Sequence, residues 1–447
     1  MKLLSASPAE LERHIAEEVA GDYVYMYPPR QAYRPFGEAE LAPLLAESLR
    51  RFESVDLYFH FPFCRQICAF CNLFAVAARD GAGLNAYVDY LEREVRHRAP
   101  LLRGKTFSTL YLGGGTPSLL APEFFARLFA FLRDEIGCEV ASIPEVALEV
   151  SPDTVEEEKF RAYRAIGINR VNLGFQTLAD GELHLIGRRY NADTPLRALE
   201  IVQSVGFDNV CVDLIYGLQG QTSESWRASV DAVLAYRPET ICAYPLTLRP
   251  ATGFSARGYR EVCGREQYAR QDYFRAAMLA AGYRQETHIR YVRDERGGYR
   301  QKENHWRMAN VLGFGAGARS YLWHGDFRNG YSVRHRARAL RDYFARVGAA
   351  GEAIVDGFVM DDDERMRKAV VLGLIRLDRG WFRSLFGRDP AEVFPEQFAA
   401  LRNLALLEEE DAAYRLTPRG LRHRDVVVQA FFSERVRRLL ESFDYDE

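Results

Sequence analysis

Six short apolar runs, each followed by a longer amphipathic stretch, constrain this chain more than any other feature; they fall at 57–61, 109–112, 145–150, 169–174, 209–215 and 240–244. Short apolar runs bounded by turn residues read as buried strands, and the stretches between them are long enough for helices. Such alternation specifies an α/β fold, a parallel sheet with helices outside it, closed or partly closed as a barrel. Barrels of this kind place their chemistry at the carboxyl ends of the strands. The chain has 447 residues, 48% of them apolar, so it can bury a large core, and disorder and small disulfide scaffolds are excluded. With 59 basic and 62 acidic side chains it carries no field that would draw it to nucleic acid or an anionic membrane. No stretch approaches the roughly 18 uncharged apolar residues of a membrane span, and the amino-terminal segment lacks the apolar length of a signal peptide. A cytoplasmic protein is expected.

The rest of the chain divides around these six units. Residues 1–55 read as an extension or lid: a helix from Pro8 to Ala20 capped by Ser7, an aromatic, proline-rich segment from Tyr23 to Pro35, and a helix from Glu38 to Arg51. Residues 56–250 hold the core. Residues 251–360 read as a barrel-packing segment with a helix from Arg265 to Ala281 and a glycine-rich passage from Leu312 to Ser320. Residues 361–447 read as a small winged-helix-like unit, with helices at Arg365–Leu377 and Phe398–Leu404, a hairpin within Glu408–Leu416, and a last helix opened by Thr417. Its arginines 415, 419, 422 and 424 follow an acidic run and read as a solvated face.

Seven cysteines are present, and three of them, Cys64, Cys68 and Cys71, form a CxxxCxxC loop just after the first strand. An odd number so distributed is not a disulfide framework. Three close thiolates suit a soft metal centre, zinc or iron-sulfur; a zinc site wants a fourth ligand, and His60, on the preceding strand, is awkwardly placed for it. An iron-sulfur cluster held by three cysteines keeps one iron open, which is a catalytic arrangement. Cys211 and Cys242 sit inside apolar runs and read as buried small apolar residues, so no second cluster is expected. The second strand ends in Gly113-Gly-Gly-Thr-Pro117, whose glycines let backbone N–H and C=O groups approach a ligand closely. Asp213 stands alone within an apolar strand, where an unpaired carboxylate is costly and a partner or ligand is expected.

On the cysteine loop and the glycine motif, the chain is identified as a member of the radical S-adenosylmethionine superfamily. Tyr58-Phe-His-Phe-Pro-Phe-Cys64, Glu149-Val-Ser-Pro152, Gly174-Phe-Gln176, Val212-Asp213-Leu-Ile-Tyr-Gly217 and Gly313-Phe-Gly-Ala-Gly317 resemble the branch that holds oxygen-independent coproporphyrinogen III oxidase, the haem chaperones and the class C methyltransferases and cyclopropanases. The resemblance implies a partial (β/α)6 barrel. It implies a 4Fe-4S cluster on Cys64, Cys68 and Cys71, with one S-adenosylmethionine contacted by Tyr58, Phe70, Gly114 and Glu149. It also implies a second S-adenosylmethionine at Gly115, Thr116, Gln176, Arg188, Asp213 and Thr247. The Tyr23–Pro35 segment and Cys71-Asn-Leu-Phe74 resemble members near the methyltransferases; with a second S-adenosylmethionine beside the first, the accessible hydrogen is on its methyl group, so the expected activity is methylation or cyclopropanation of an sp2 carbon in an aromatic or heterocyclic small molecule. Tyr25, Tyr27, Arg30 and His305 are its candidate substrate residues. Hydrogen abstraction from a tetrapyrrole side chain and haem chaperoning are the alternatives. Leu73 stands where the coproporphyrinogen oxidase pattern has a further cysteine, and Glu303-Asn-His305-Trp306 alters the order of the chaperones' His-Asn segment. The implied partners are a reductant such as flavodoxin or ferredoxin and, on the methyltransferase reading, a partner methyltransferase. Neither nucleic acid nor membrane is among them.

Overall fold

The computed structural model describes residues 7–77 and 82–443; the first residues of the amino-terminal segment and the last four of the carboxyl-terminal unit lie outside them. All six expected strands form: β1 (Ser54–Phe61), β2 (Thr106–Gly114), β3 (Glu145–Val150), β4 (Arg170–Gln176), β5 (Asn209–Tyr216) and β6 (Thr240–Pro245). They pair in parallel in that order. Helices such as Ala82–Leu102, Pro122–Ile136, Asp193–Val205 and Ser223–Tyr236 connect them.

Alternation along each strand sorts the residues into two faces. Val55, Leu57, Phe59 and Phe61 of β1, Val146, Leu148 and Val150 of β3, and Val210, Val212 and Leu214 of β5 all join one apolar core against the helices. The opposite parity faces the barrel interior and is polar: Tyr58 and His60, Glu149, Arg170 and Asn172, Cys211 and Asp213, Cys242 and Tyr244. The interior is therefore a site rather than a core.

The segment 251–360 differs from the expectation. Its glycine-rich passage builds β8 (Asn310–Phe314), a seventh parallel strand beside β1, after a short β7 (Arg290–Val292) has paired antiparallel with β6. From β8 the sheet continues antiparallel through β9 (Arg319–Tyr321), β10 (Gly325–Asn329) and β11 (Ile354–Val359), and Arg34–Pro35 pairs onto β11 at the edge. Gly313 serves close approach, since a Cβ there would stand 2.3 Å from the Arg319 carbonyl oxygen, while Gly315 and Gly317, at φ 99° and 78°, make the turn into β9. The sheet is open, a partial barrel.

The amino-terminal segment is built in rather than laid over the barrel. Its first helix ends at Ala16, short of the expected Ala20, because Glu18 takes a left-handed conformation (φ 52°) where the chain turns to pack on Gly264. Leu11, Ile15, Val24 and Tyr27 complete the core of the carboxyl-terminal unit. That unit has the expected winged-helix-like pattern, a three-stranded sheet among short helices. Its first helix runs Asp362–Gly373, because Arg376–Asp378 leaves it to pair with Ala413–Arg415.

One buried carboxylate ties the barrel to the new strand. Glu94 accepts from the Gly315 N–H (2.8 Å), Asn329 Nδ2 (2.7 Å) and the Tyr343 hydroxyl (2.9 Å). Glu94→Ala leaves these buried donors unsatisfied and is expected to cost about 3 kcal/mol, read as a lower urea midpoint. A change under about 1 kcal/mol would contradict that role. Among the described residues no helix is long and apolar enough to cross a membrane.

Candidate active site

Three adjoining cavities occupy the interior at the carboxyl ends of the strands. The first, about 200 Å³, is lined by Cys64, Cys68 and Cys71 together with Phe70, Gly114, Gly115, Thr116, Glu149, Gln176, Arg188 and Asp213. The second, about 460 Å³, shares Phe70, Glu149, Gln176 and Asp213 with the first and extends inward past Cys211, Cys242 and Tyr244. The third, about 260 Å³, lies beside Tyr58, His60, His305 and Tyr321 and meets the second at Tyr25, Tyr111 and Lys302. Glu149 and Leu73 line all three, and Leu73 is 46% exposed. The departure from the oxidase pattern thus stands where the cavities meet.

The residues of the first cavity fit a three-cysteine iron-sulfur cluster. The three thiols are free, and burial, the largest influence, pushes Cys64 up to about 12 and Cys71 up to about 11. Without metal these thiols are therefore protonated, and bound iron would take them as thiolates. Thr116 Oγ1 donates to Cys64 Sγ at 3.4 Å. Gly114 has a φ of 118°, open to glycine and strained for other residues, and its N–H donates to Glu149 Oε2 at 2.8 Å. Gln176, at φ 70°, is a left-handed residue that is not glycine, a strain found where a site imposes it.

A chain of hydrogen bonds fixes Glu149. Arg170, paired with Glu145 at 3.2 Å, donates to Asn172; Asn172 Nδ2 donates to the Tyr111 hydroxyl (2.8 Å), which donates to Glu149 Oε1 (3.0 Å). Burial is the main cause that pushes the Glu149 carboxyl up to about 7, against these donors, and the Asp213 carboxyl up to about 6. The Arg188 guanidinium reaches Ser151 Oγ and stands 4.0 Å from Asp153, while its buried Nε has no partner. That free donor in a cysteine-lined cavity fits a ligand carboxylate, such as that of S-adenosylmethionine.

The expected residues are distributed unevenly. Gly115, Thr116 and Arg188, assigned by resemblance to a second S-adenosylmethionine, line the cysteine cavity beside Gly114, and Thr247 lines only the large one. Tyr58, expected at the first S-adenosylmethionine, opens into the third cavity instead, its hydroxyl 2.8 Å from His60 Nδ1. Tyr25 lines the second and third cavities, and Arg30 lies in a small recess beside it, over the Tyr331 ring. Tyr27 does not belong to the site: it is fully buried, and its hydroxyl donates to Glu364 Oε2 at 2.5 Å in the carboxyl-terminal unit. The cis peptide Tyr27-Pro28 turns the chain there. His305 is buried in the third cavity with neither ring nitrogen partnered, and burial holds its imidazole well below the usual range.

The sequence reading missed Arg170, Arg249, Arg290, Lys302 and Arg424, all lining the large cavity. Parity carried the signal for Arg170, which shares a strand face with Asn172 and Gln176. Arg424, read as solvated, is 3% exposed because it donates to the Val24 and Val371 carbonyls. Its companions do stand on the surface, Arg415 with Glu408 and Glu410 and Arg422 with Asp272.

Comparison with known proteins agrees with this geometry. The radical SAM superfamily model matches residues 58–233, and the HemN C-terminal domain model matches residues 360–423. Oxygen-independent coproporphyrinogen III oxidase of Salmonella typhimurium is 27% identical over 386 residues, covering 82% of both chains. The haem chaperone HemW of Synechocystis is 32% identical over 290 residues, covering 61% of this chain and 69% of that protein. The structure of coproporphyrinogen III oxidase (HemN) from Escherichia coli superposes with a TM-score of 0.79 at 24% identity, over 96% of this chain and 99% of that one. The first model spans the cysteine loop and the glycine strand end and the second the carboxyl-terminal unit, and the chain belongs to the HemN-like branch of the radical S-adenosylmethionine superfamily.

Proposed function

We propose that this radical S-adenosylmethionine enzyme acts on a tetrapyrrole bearing several carboxylate side chains. One observation carries the reading: Arg170, Arg249, Arg290, Lys302 and Arg424 converge on the large cavity, against only Glu149 and Asp213 at its cluster end. Four of these cations have a carboxylate neighbour, Glu145, Asp22, Glu286 and Asp425 respectively for Arg170, Arg249, Arg290 and Arg424. Lys302 donates to the Tyr25 carbonyl, at 3.1 Å, and among the described residues it has no carboxylate partner. A buried ammonium without a counter-charge is costly, and a propionate would supply the charge. The relatives, coproporphyrinogen III oxidases and haem chaperones, favour this class over the methylation and cyclopropanation expected from a second S-adenosylmethionine.

Cys64, Cys68 and Cys71 would hold the cluster, with S-adenosylmethionine between Gly114, Glu149 and Arg188. When bound, the pair supplies a 5'-deoxyadenosyl radical able to take an unactivated hydrogen. The chain's own part is positional. The cations hold the acidic edge of the substrate at the inner end, and Tyr111, Tyr244 and Tyr299 offer flat apolar walls. Gly115, Thr116 and Arg188 share the cavity of Gly114, so they are assigned to the same S-adenosylmethionine. Equilibrium dialysis with labelled S-adenosylmethionine then reads one molecule per chain, and two would place a second in the large cavity, lined by Thr247 and, in common with the first cavity, by Gln176 and Asp213.

Lys302 gives a pH test. Burial, then the charges of Arg424, Arg290 and Arg319, pushes its ammonium down to about 7; the neighbouring His305 is held down by burial, then by Lys368 and Lys302. In the free protein Lys302 therefore loses its proton as pH rises through 7, and a polycarboxylate binds the protonated form. Affinity for coproporphyrin III, followed by fluorescence quenching, is expected to fall about tenfold from pH 6 to pH 8.5, roughly one unit of linked proton binding. Lys302→Gln flattens that profile. An unchanged slope in the variant contradicts the assignment. Tight haem binding with a Soret shift lost in His305→Ala, and no 5'-deoxyadenosine on adding coproporphyrinogen III, would favour the chaperone reading instead.

A further inference from the structure

Two cysteines that the radical site does not use face the same interior. Cys211 and Asp213 alternate on β5 and so share its inner face, and Cys242 lies on β6 in register with Asp213. Their ligand atoms meet: Cys211 Sγ stands 3.6 Å from Asp213 Oδ1 and 3.8 Å from Cys242 Sγ, and all three lie within 4.8 Å of one another. Among the described residues no lysine or arginine forms an ion pair with Asp213, and the three side chains line the large cavity.

The separations select a metal over a disulfide. Two sulfurs on one tetrahedral zinc at about 2.3 Å stand about 3.8 Å apart, and a sulfur and a carboxylate oxygen about 3.5 Å apart. Both distances are already present. The register partner of Cys211 is Thr240, which makes Cys242 its diagonal neighbour. Strands about 4.8 Å apart with a rise of about 3.3 Å per residue put such diagonal Cα atoms about 8 Å apart, beyond the Cα separation of about 7 Å at which a disulfide can close.

We propose that Cys211, Asp213 and Cys242 bind a zinc-class divalent cation, separate from the iron-sulfur cluster, with its fourth position open to the large cavity. Two thiolates and one carboxylate around a dication leave one net negative charge, and Arg170 on β4 acts on both Cys211 and Asp213 to offset it. Binding releases both thiol protons to solvent and changes no oxidation state. The open position would take an oxygen or nitrogen donor of the bound molecule, and only this last clause rests on the substrate reading above.

The test uses the reconstituted holoenzyme with its iron content confirmed, given one equivalent of zinc anaerobically and then desalted. Zinc-edge X-ray absorption reports this site alone, because the cluster contains iron. One retained zinc per chain with two sulfur neighbours at about 2.3 Å is expected. Cys211→Ser and Cys242→Ser are each expected to weaken zinc retention about 100-fold while iron per chain stays unchanged; a variant that also loses iron has misfolded, and the wild-type spectrum then decides. No retained zinc, a shell of three sulfurs characteristic of the cluster loop, or equal retention in both variants with intact iron overturns the proposal.

Discussion

Cys68→Ala is expected to abolish 5'-deoxyadenosine formation while leaving the fold intact. Cys68 lies in a half-exposed loop held by its backbone, with the Cys71 N–H bonded to its carbonyl at 3.0 Å and the Ala69 N–H to Ile186 at 2.9 Å. Removing its thiol costs little packing, so the melting temperature should stay within the scatter of ordinary surface variants, about 0.5 kcal/mol in stability. Iron per chain should fall from about four toward zero, since a three-thiolate cluster is not held by two. Cys263→Ala, at an exposed position, keeps its iron and serves as the control. A Cys68→Ala protein that retains a full cluster would contradict the assignment of the loop.

Gly115→Ala is expected to damage stability and cofactor loading together. An added Cβ would stand 2.6 Å from the Phe63 carbonyl oxygen and 2.8 Å from its nitrogen, and backbone cannot rotate away as a flexible side chain can. The same strand end holds the cysteine loop through Gly115 N–H to Phe61 O (2.8 Å) and Thr116 N–H to Phe63 O (2.7 Å). Relief of the clash must shift the segment that leads into Cys64. Overpacking of this kind costs about 1–3 kcal/mol, read as a lower melting temperature, and iron content after reconstitution should drop with it. Gly181→Ala, where an added Cβ meets nothing within 4 Å, should be neutral or slightly stabilising. Equal behaviour of the two variants would show that the glycine motif does not hold the loop.

How much of this the chain displays in advance depends on the range of the interactions. The six strands are local: each is an apolar run whose period-two alternation survives in the register, and all six appear where the runs stand. The cysteine motif is local as well, since its spacing puts three thiols in one short loop, although distant backbone such as Gly115, Thr116 and Ile186 holds that loop in place. β8 is not local. Leu312 to Ser320 reads as a glycine-rich passage, and only contact with β1 and the close crossing of β9 makes its first part, Leu312 to Phe314, a strand, while Gly315 and Gly317 turn the chain toward β9. The cation set is the least legible part. Arg249, Arg290, Lys302 and Arg424 come from four separate segments, and Arg424 is held at the cavity by carbonyls distant in sequence, those of Val24 and Val371. Tyr27 and Tyr25 look alike in sequence, yet one closes the carboxyl-terminal core and the other lines the site. Cys211 and Cys242 were legible by parity once Asp213 was taken as inward-facing, but an apolar run hides that face when read as a single buried strand.

The central claim, radical chemistry on an acidic tetrapyrrole, is tested most directly by following hydrogen. The holoenzyme is reduced anaerobically with S-adenosylmethionine and coproporphyrinogen III deuterated in its propionate side chains, and 5'-deoxyadenosine is analysed by mass spectrometry. The account predicts 5'-deoxyadenosine carrying substrate deuterium, with the yield falling at least tenfold in an Arg290→Ala, Lys302→Gln double variant, the loss of roughly 1.4 kcal/mol of binding. Unlabelled 5'-deoxyadenosine formed at the same rate with and without the tetrapyrrole would contradict it.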